Sequence, residues 1–264
     1  VDGLSPRELS KFFLEPFAKW ISEKSTAVFF ASSELRAVDF HALPFQGRPL
    51  IVSMGVAYSL DLPGYRPKES TWKDASDKTV VVADPRGDLP QARKEGAAVE
   101  GMLRLGTDSV RLLTGGEATL KRLREELAWA DTFHYAGHGY FTEDDNWGGT
   151  LLLADNAELT MTDIFALPSV PRKVMLTGCE TARTQVQLSM ETLGLAQAFL
   201  IGGSEAVIAS TRPIQDTLGR EFSSEMYQKD NGGQEIRAAF YRAQRQVLER
   251  SPDADWSSFR LLIP

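Results

Sequence analysis

The feature that most constrains the fold of this chain is a continuous β-branched run, Thr79-Val-Val-Val-Ala83. Polar and apolar residues do not alternate along it, so both faces of the strand must be buried, as in the parallel sheets of α/β proteins. Segments with helical spacing and further short apolar runs alternate through the residues that follow. This alternation predicts an α/β fold with a mostly parallel sheet and helices on both of its faces.

The first part of the chain follows a less regular pattern and predicts a smaller α/β subregion. A Ser-Pro helix start precedes apolar residues at helical spacing from Leu9 to Ile21, so we expect a helix that buries one face. Residues 26–31 are expected to form a buried strand. Residues 63–77 combine Pro, Gly, Lys and Asp without an apolar period, which is typical of a linker. We therefore predict an N-terminal subregion at residues 1–77 and a main unit at residues 78–264.

Composition and charge narrow the classes of function. The net charge is −7 and the sequence pI is about 5.2, so no basic surface indicates a nucleic-acid or anionic-lipid partner. The longest strongly apolar segment, Leu193 to Gly203, is far shorter than the roughly 20 residues of a membrane span. A single cysteine cannot form an internal disulfide, which favours a reducing compartment. Because no signal-peptide pattern is visible, we expect a cytoplasmic location.

Two predicted strands end at residues that can do chemistry together. An apolar strand pattern that starts at Asp131 ends at His138, which lies between two glycines. A second strand pattern that starts at Lys173 stops at Cys179, the only cysteine of the chain. Groups that follow neighbouring strands of a doubly wound sheet converge in one crevice. The sequence therefore predicts a thiol–imidazole pair.

A cysteine attacks as its thiolate, so a neighbouring base is needed to activate it. His138 is the candidate base and Cys179 the candidate nucleophile. The backbone amides of Gly139 and Cys179 are candidates for an oxyanion hole, because glycine lets the backbone approach a substrate closely. Two plainer interpretations stay open from these residues alone: a Gly-His-Gly sequence that is only a turn, and a lone cysteine that is only a small buried hydrophobe.

A metal site is poorly supported by the histidines. His134 and His138 are four residues apart, but that spacing serves zinc on a helix, and the metalloprotease motif has a glutamate after its first histidine. Here Tyr135 follows His134, and the segment has the pattern of a strand. A phosphate-binding loop of the Gly-x-x-x-x-Gly-Lys-Ser/Thr kind is absent from the sequence as well. We expect no metal and no cofactor.

The two motifs together carry a family resemblance. Leu-Thr-Gly-Cys179-Glu-Thr-Ala, paired with His-Tyr-Ala-Gly-His138-Gly, resembles the CHAT domain family of caspase-like and separase-like cysteine peptidases, which are often attached to tetratricopeptide repeats. Further landmarks in the expected order include Val82-Ala-Asp-Pro85, Leu151-Leu-Leu-Ala-Asp155 and Phe199-Leu-Ile-Gly-Gly203. The resemblance covers nearly the whole chain.

The resemblance implies a caspase-like three-layer sandwich whose active unit spans residues 78–264. It implies that His138 is the general base, that Cys179 is the nucleophile, and that the amides of Gly139 and Cys179 form the oxyanion hole. It also implies a pocket for the substrate residue before the scissile bond. We expect that pocket to be formed by polar residues near the strand ends: Asp84, Asp155, Thr177, Ser210, Thr211 and Arg212.

Two departures from the family pattern bear on that pocket. Thr177 and Gly178 stand where the family usually has Ser-Ala, and Arg212 stands where it commonly has a tryptophan. The segment around Arg212 is expected to pair with the substrate backbone, so substrate preference is expected to be unusual. A basic substrate residue is favoured if Asp84 or Asp155 faces the pocket. An apolar pocket is expected if both aspartates instead brace turns or cap helices.

Two functions from different classes follow. The first is a cysteine endopeptidase that cleaves a specific protein or peptide substrate and is regulated by a partner protein or a repeat domain. The second is a non-catalytic or latent caspase-like signalling module that binds a peptide or a partner. The presence of both His138 and Cys179 favours the first. The resemblance further implies a bacterial setting in immunity or cell-death signalling.

Overall fold

The computed structural model describes residues 3–21, 26–31, 33–59, 78–105, 109–141, 149–177, 191–212, 214–228 and 236–264. Its strands, in chain order, are β1 (Thr26–Phe30), β2 (Pro44–Phe45), β3 (Arg48–Pro49), β4 (Gly55–Ser59), β5 (Thr79–Ala83), β6 (Val110–Thr114), β7 (Thr132–Ala136), β8 (Gly139–Phe141), β9 (Gly149–Leu152), β10 (Glu158–Thr160), β11 (Lys173–Leu176), β12 (Ala206–Ser210) and β13 (Phe259–Ile263). Its α-helices are α1 (Pro6–Phe13), α2 (Leu50–Ser53), α3 (Pro90–Arg104), α4 (Leu120–Trp129), α5 (Met161–Phe165), α6 (Glu191–Gly202), α7 (Asp216–Tyr227) and α8 (Ile236–Arg250). Short 3-10 helices span Glu15–Trp20, Ser33–Ala37, Phe40–Ala42, Gly115–Glu117, Ala154–Asn156 and Trp256–Ser258. Within these ranges, each helix is too short or too polar to cross a lipid bilayer.

An eight-stranded sheet forms the centre of the molecule, in the order β1-β4-β13-β12-β11-β7-β5-β6. Neighbouring strands are parallel except for β12 and β13, which are antiparallel. A three-stranded antiparallel sheet, β10-β9-β8, and the hairpin β2-β3 are separate from it. The β-branched run of β5 is buried along its whole length. The predicted α/β fold with a mostly parallel sheet is therefore confirmed.

Apolar cores lie on both faces of the large sheet, because side chains alternate along each strand. On one face, Phe133 of β7 and Leu176 of β11 pack in a core with α4 and α6. On the other face, Met175 of β11 and Ile208 of β12 pack in a core with α7 and α8. The result is a three-layer sandwich in which the central strands are covered on both sides.

Strands from the N-terminal region belong to the same sheet as the main unit. β13, which the sequence analysis did not identify, lies between β4 and β12 and connects the two. β1 is the edge strand next to β4, and its Val28 and Phe30 are exposed. The expectation of a buried strand there was wrong, because alternate residues of β1 lie on a sheet face that is exposed at this edge. The predicted linker at residues 63–77 lies outside the described residues, and the division into two units stays a prediction.

Helix α1 begins as expected but is shorter than its apolar pattern. Ser5 caps it, and the side chains of Ser5 and Glu8 form a capping box with each other's backbone amides. The helix ends after eight residues and is followed by a 3-10 helix, which changes the spacing of the later apolar residues. Phe17 and Trp20 in the 3-10 helix are 56% and 59% exposed, and Phe12 within α1 is 64% exposed. The expected single buried face was wrong for these three aromatic residues.

A buried ion pair links β13 to the N-terminal region. Arg260 is 3% exposed and donates to Asp39 Oδ1 through Nη2 at 2.6 Å and through Nε at 3.2 Å. Its Nη1 donates to the carbonyl of Arg36, and its guanidinium lies 4.5 Å from the ring centre of Tyr58. Burial acts to raise the pKa of Asp39, but the neighbouring positive charges, Arg260 first, lower that pKa overall.

Replacing Asp39 by asparagine is expected to lower the free energy of unfolding at pH 7 by about 3 kcal/mol, because buried Arg260 loses its carboxylate partner. The lowered pKa means that Asp39 stabilises the fold above its unfolded pKa and that this contribution is lost as pH falls through the folded pKa. The gap between wild type and Asp39→Asn should therefore close in acid, as measured by urea unfolding. Asp253→Asn, at an exposed site, should stay within about 0.5 kcal/mol of wild type; an equal loss in both variants would contradict the assignment.

Candidate active site

The carboxyl ends of β7 and β11 meet at one edge of the large sheet. The two strands are parallel neighbours, and the amide of Thr177 donates to the carbonyl of Tyr135 at 3.0 Å just beyond their paired residues. β7 leads into His138, and β11 leads into Cys179 two residues after Thr177. Residues that follow parallel neighbours are delivered to the same edge. Cys179 itself lies outside the described residues.

The hydroxyl of Tyr135 stabilises the turn that carries His138. The hydroxyl of Tyr135 lies 2.7 Å from the carbonyl oxygen of His138 and 2.7 Å from that of Leu152, so its single proton is shared between these two acceptors. A Cβ atom at Gly137 would lie 2.7 Å from the Tyr135 hydroxyl and 2.9 Å from Pro85, closer than real Cβ contacts. Glycine is therefore needed at position 137 for close packing, and the imidazole that follows is placed by a rigid turn.

His138 is oriented by an aspartate that the sequence analysis did not single out. Its Nε2 lies 2.9 Å from Oδ1 of Asp88, in the turn between β5 and α3. His138 is 5% exposed, whereas the side chain of Asp88 is 57% exposed. A carboxylate that accepts from Nε2 fixes the ring orientation and favours the tautomer with its proton on Nε2. Nδ1 is then the nitrogen suited to act as a base.

His134 contacts a different carboxylate, which belongs to α3. Its Nε2 lies 3.1 Å from Oε1 of Glu95, a residue of α3 that is 3% exposed. The same oxygen accepts from the hydroxyls of Thr177 at 2.5 Å and Ser223 at 2.6 Å. The hydroxyl of Tyr227 lies 3.4 Å from Nδ1 of His134. The two histidines at four-residue spacing therefore contact separate carboxylates.

The backbone around Gly139 is arranged as an antiparallel ladder with β9. The amide of Leu152 donates to the carbonyl of His138 at 2.9 Å, and Gly139 is paired with Leu151. In an antiparallel ladder, residue pairs alternate between hydrogen-bonded and non-hydrogen-bonded positions. The Gly139–Leu151 pair takes the second kind, so the amide of Gly139 points away from β9.

Asp84, one of the predicted pocket residues, is a buried brace for the turn after β5. Its Oδ1 accepts from the amide of Leu89 at 2.8 Å, and Oδ2 lies 2.7 Å from Nη2 of Arg93. Its amide donates to the carbonyl of Ala136 at 2.8 Å. The φ angle of 49° lies in the left-handed region, which aspartate enters more readily than most residues. The carboxylate is thus used within the turn that also carries Asp88.

The first two residues of the predicted substrate-pairing segment, Ser210 and Thr211, are paired with the start of β13 and with the residue before it. Ser210 pairs with Phe259, and the amide of Thr211 donates to the carbonyl of Ser258 at 2.8 Å. The hydroxyl of Thr211 also lies 3.1 Å from that carbonyl oxygen. Both residues are buried.

Arg212 and Asp155 are the remaining predicted pocket residues. Arg212 pairs with Asp39 through Nη1 and with Asp255 through Nη2, each at 2.6 Å. Burial acts to lower the pKa of Arg212, but these carboxylates raise it overall. Asp155 is exposed in the turn after β9 and has a φ of 57°. Whether these residues contact substrate stays a prediction.

Three residues near the site were missed by the sequence analysis: Asp88, Tyr135 and Glu95. Asp88 had a usable signal, because the segment from Asp84 to Asp88 is a polar turn directly after a buried strand, at the edge where His138 was expected. Glu95 resembles a family landmark together with Leu89-Pro-Gln-Ala92, but neither it nor Tyr135 was given a role, because a buried hydroxyl or carboxylate is recognised only from the partners that the fold gives it.

A comparison with protein-family models matches the CHAT domain over residues 5–264. The chain belongs to the CHAT domain family. Among curated proteins, no match to this chain was found. The family assignment agrees with the motifs around His138 and Cys179 and with the sheet that carries them.

Solved structures similar to this CHAT domain share its caspase-like fold. Separase in the Saccharomyces cerevisiae separase–securin complex aligns with a TM-score of 0.60 and 16% identity, over 91% of this chain and 16% of that one. The Arg-specific cysteine proteinase gingipain R aligns with a TM-score of 0.56 and 13% identity, over 80% of this chain and 54% of that one. A complex of the Porphyromonas gingivalis RgpB pro- and mature domains aligns with a TM-score of 0.54 and 11% identity, over 80% of this chain and 55% of that one. This CHAT domain thus spans about half of gingipain R and about a sixth of separase.

Gly137→Ala is expected to lower the free energy of unfolding by about 1–3 kcal/mol, because the added Cβ must displace the Tyr135 ring from the His138 turn. Gly116→Ala is the matched control, since nothing lies within 4 Å of a Cβ at that position. It should change stability by less than about 0.5 kcal/mol. Thermal unfolding of both variants measures the difference, and equal melting temperatures would contradict the packing argument.

Proposed function

We propose that this CHAT domain is a cysteine endopeptidase in which His138 activates Cys179. The observation that carries the proposal is the pairing of β7 with β11, which leads His138 and Thr177 to one edge of the sheet. Two residues of chain extend at most about 7 Å, so covalent connectivity keeps Cys179 near the end of β11. We propose on this basis that the Cys179 thiol acts with the buried imidazole that Asp88 orients.

The first chemical step is attack on a peptide carbonyl. Nδ1 of His138 takes the proton of the Cys179 thiol, and the thiolate sulfur forms a bond to the carbonyl carbon. The carbonyl oxygen becomes negatively charged and is bound by backbone amides. The direction of the Gly139 amide, away from β9, supports its role as one of these donors, with the amide of Cys179 as the other.

The second half of the reaction returns the enzyme to its starting state. The imidazolium of His138 gives its proton to the leaving amine, and the carbon–nitrogen bond breaks to leave an acyl-thioester on Cys179. Water then gives a proton to His138 and its oxygen bonds to the thioester carbon, the carbon–sulfur bond breaks, and the proton on His138 passes to the released sulfur of Cys179. The carboxylic acid product leaves and ionises in water. Asp88 contributes by holding Nε2 of His138, so that Nδ1 carries the proton exchange in both halves.

A protein substrate and a protein regulator fit the family. Gingipain R is a cysteine proteinase, and separase was solved in complex with a protein, securin. We propose that this CHAT domain likewise acts on a polypeptide and is controlled by a partner or a repeat domain. Because Asp84 is engaged by Arg93 and Leu89, it does not provide an unused charge for a basic substrate residue.

The test is cleavage of a diverse peptide library by wild type, Cys179→Ala, His138→Ala and Asp88→Ala. We expect the first two variants to lose activity by at least about a thousandfold, because nucleophile and base act as a unit. Asp88→Ala should lose about tenfold, since it removes the orientation of the imidazole and not the base itself. Mass spectrometry of the products also identifies the residue preferred before the scissile bond.

Asp253→Ala is the control, because it removes an exposed aspartate from a turn that does not contact His138. It should cleave like wild type. Cleavage that survives in Cys179→Ala would contradict the proposal. A wild type that cleaves nothing, even with added partner proteins, would favour the non-catalytic module instead.

A further inference from the structure

A buried carboxylate lies beneath the end of the strand that leads to Cys179. Glu95 of α3 accepts on one oxygen from groups on three other elements: Thr177 after β11, His134 on β7 and Ser223 on α7. We propose that Glu95 and Thr177 are positioning residues that set where the nucleophile segment leaves the sheet. This inference rests on the proposed function and adds residues that act on Cys179 through the backbone.

Thr177 is bonded through both its backbone and its side chain, which is why we assign the positioning role to it. Its amide donates to the carbonyl of Tyr135 at 3.0 Å, and its hydroxyl lies 2.5 Å from Glu95 Oε1 and 3.2 Å from the same carbonyl. Thr177 is 4% exposed. It is thereby fixed by its backbone and its side chain at once, two residues before Cys179.

The three groups that contact Oε1 of Glu95 can all donate hydrogen bonds to its carboxylate at the same time. Burial and the charge of Glu95 raise the pKa of Tyr227, so its hydroxyl keeps its proton and can donate to Nδ1 of His134. With Nδ1 accepting, the ring proton of His134 lies on Nε2 and donates to Glu95. The carboxylate thus accepts from an imidazole and two hydroxyls, which offsets the cost of burying it.

The same carboxylate is closely packed against α7. A Cβ at Gly219 would lie 3.4 Å from Glu95 Oε2 and 3.3 Å from the carbonyl oxygen of Thr177. A glycine at this position lets the backbone of α7 lie beside both groups, so α7 packs against Glu95 and Thr177 where they meet. Because a displacement of about 1 Å at a reacting group can cost on the order of a hundredfold in rate, the hydrogen bond between Thr177 and Glu95 bears on the chemistry.

The experiment compares Thr177→Val with Thr177→Ser. Valine keeps the shape and removes the hydroxyl, whereas serine restores it. The first readout is the rate constant for alkylation of Cys179 by iodoacetamide, which is specific because Cys179 is the only cysteine. The second readout is kcat and KM for the peptide cleaved by wild type. We expect Thr177→Val to lower the alkylation rate and kcat about tenfold with KM unchanged, and Thr177→Ser to stay within about twofold of wild type.

Ser204→Ala is the matched control for lost stability. Ser204 is fully buried, and its hydroxyl donates to the carbonyl of Pro171 at 2.6 Å, near the opposite end of β11. This variant should lower the melting temperature as Thr177→Val does, without slowing alkylation or cleavage. Glu95→Gln, which removes the charge and keeps the shape, should slow both as Thr177→Val does.

The outcomes separate the positioning role from the peptidase itself. Slow alkylation in Thr177→Val with rescue by serine supports positioning even if the wild type cleaves no peptide, in which case only the proposed function fails. Unchanged alkylation and kcat in Thr177→Val would overturn the positioning role while leaving the peptidase intact. Losses in Ser204→Ala that match those in Thr177→Val would overturn it too, because they would trace to stability alone.

Discussion

The parallel pairing of β7 with β11 is the constraint on which the rest of the site depends. Both strands are buried on their two faces, so a slip of one residue would move every side chain of a strand into the core on the opposite face, where it would have to pack against different neighbours. This register fixes the relation between the turn of His138 and the end of β11 at Thr177. On the proposed function, the geometry of a catalytic pair that is 41 positions apart in sequence thereby depends on ordinary backbone hydrogen bonds.

Two carboxylates form hydrogen bonds near this strand pairing, one with His138 and one with Thr177. Asp88, mostly exposed, lies at the surface of the site and orients His138, so its effect is expected on catalysis more than on folding. Glu95 is buried and connects α3, α7, β7 and the end of β11 through the three hydrogen bonds that it accepts. On the proposed function, the exposed carboxylate orients the base and the buried carboxylate holds the chain that leads to the nucleophile.

The sequence predicted the parts of this arrangement that local pattern controls. The β-branched run of β5 and the strands before His138 and Cys179 follow from apolar periodicity, and Gly137 follows from the need for a tight turn. β13 was missed because its Arg260 interrupts the apolar pattern and is buried among distant partners, among them Asp39, 221 residues away. The Glu95–His134 contact was missed for the same reason, since its partners are 39 residues apart. Long-range polar pairs have no local signal.

The most direct test of the account is the pH dependence of iodoacetamide alkylation at Cys179, in wild type and in His138→Ala. If His138 and Cys179 form an acid–base pair, the thiolate should appear well below the unperturbed thiol pKa of about 8.5 in wild type, and the profile should move up to about 8.5 without the imidazole. The same profile in both proteins, centred near the unperturbed value, would contradict the central claim that this edge of the sheet is an active site.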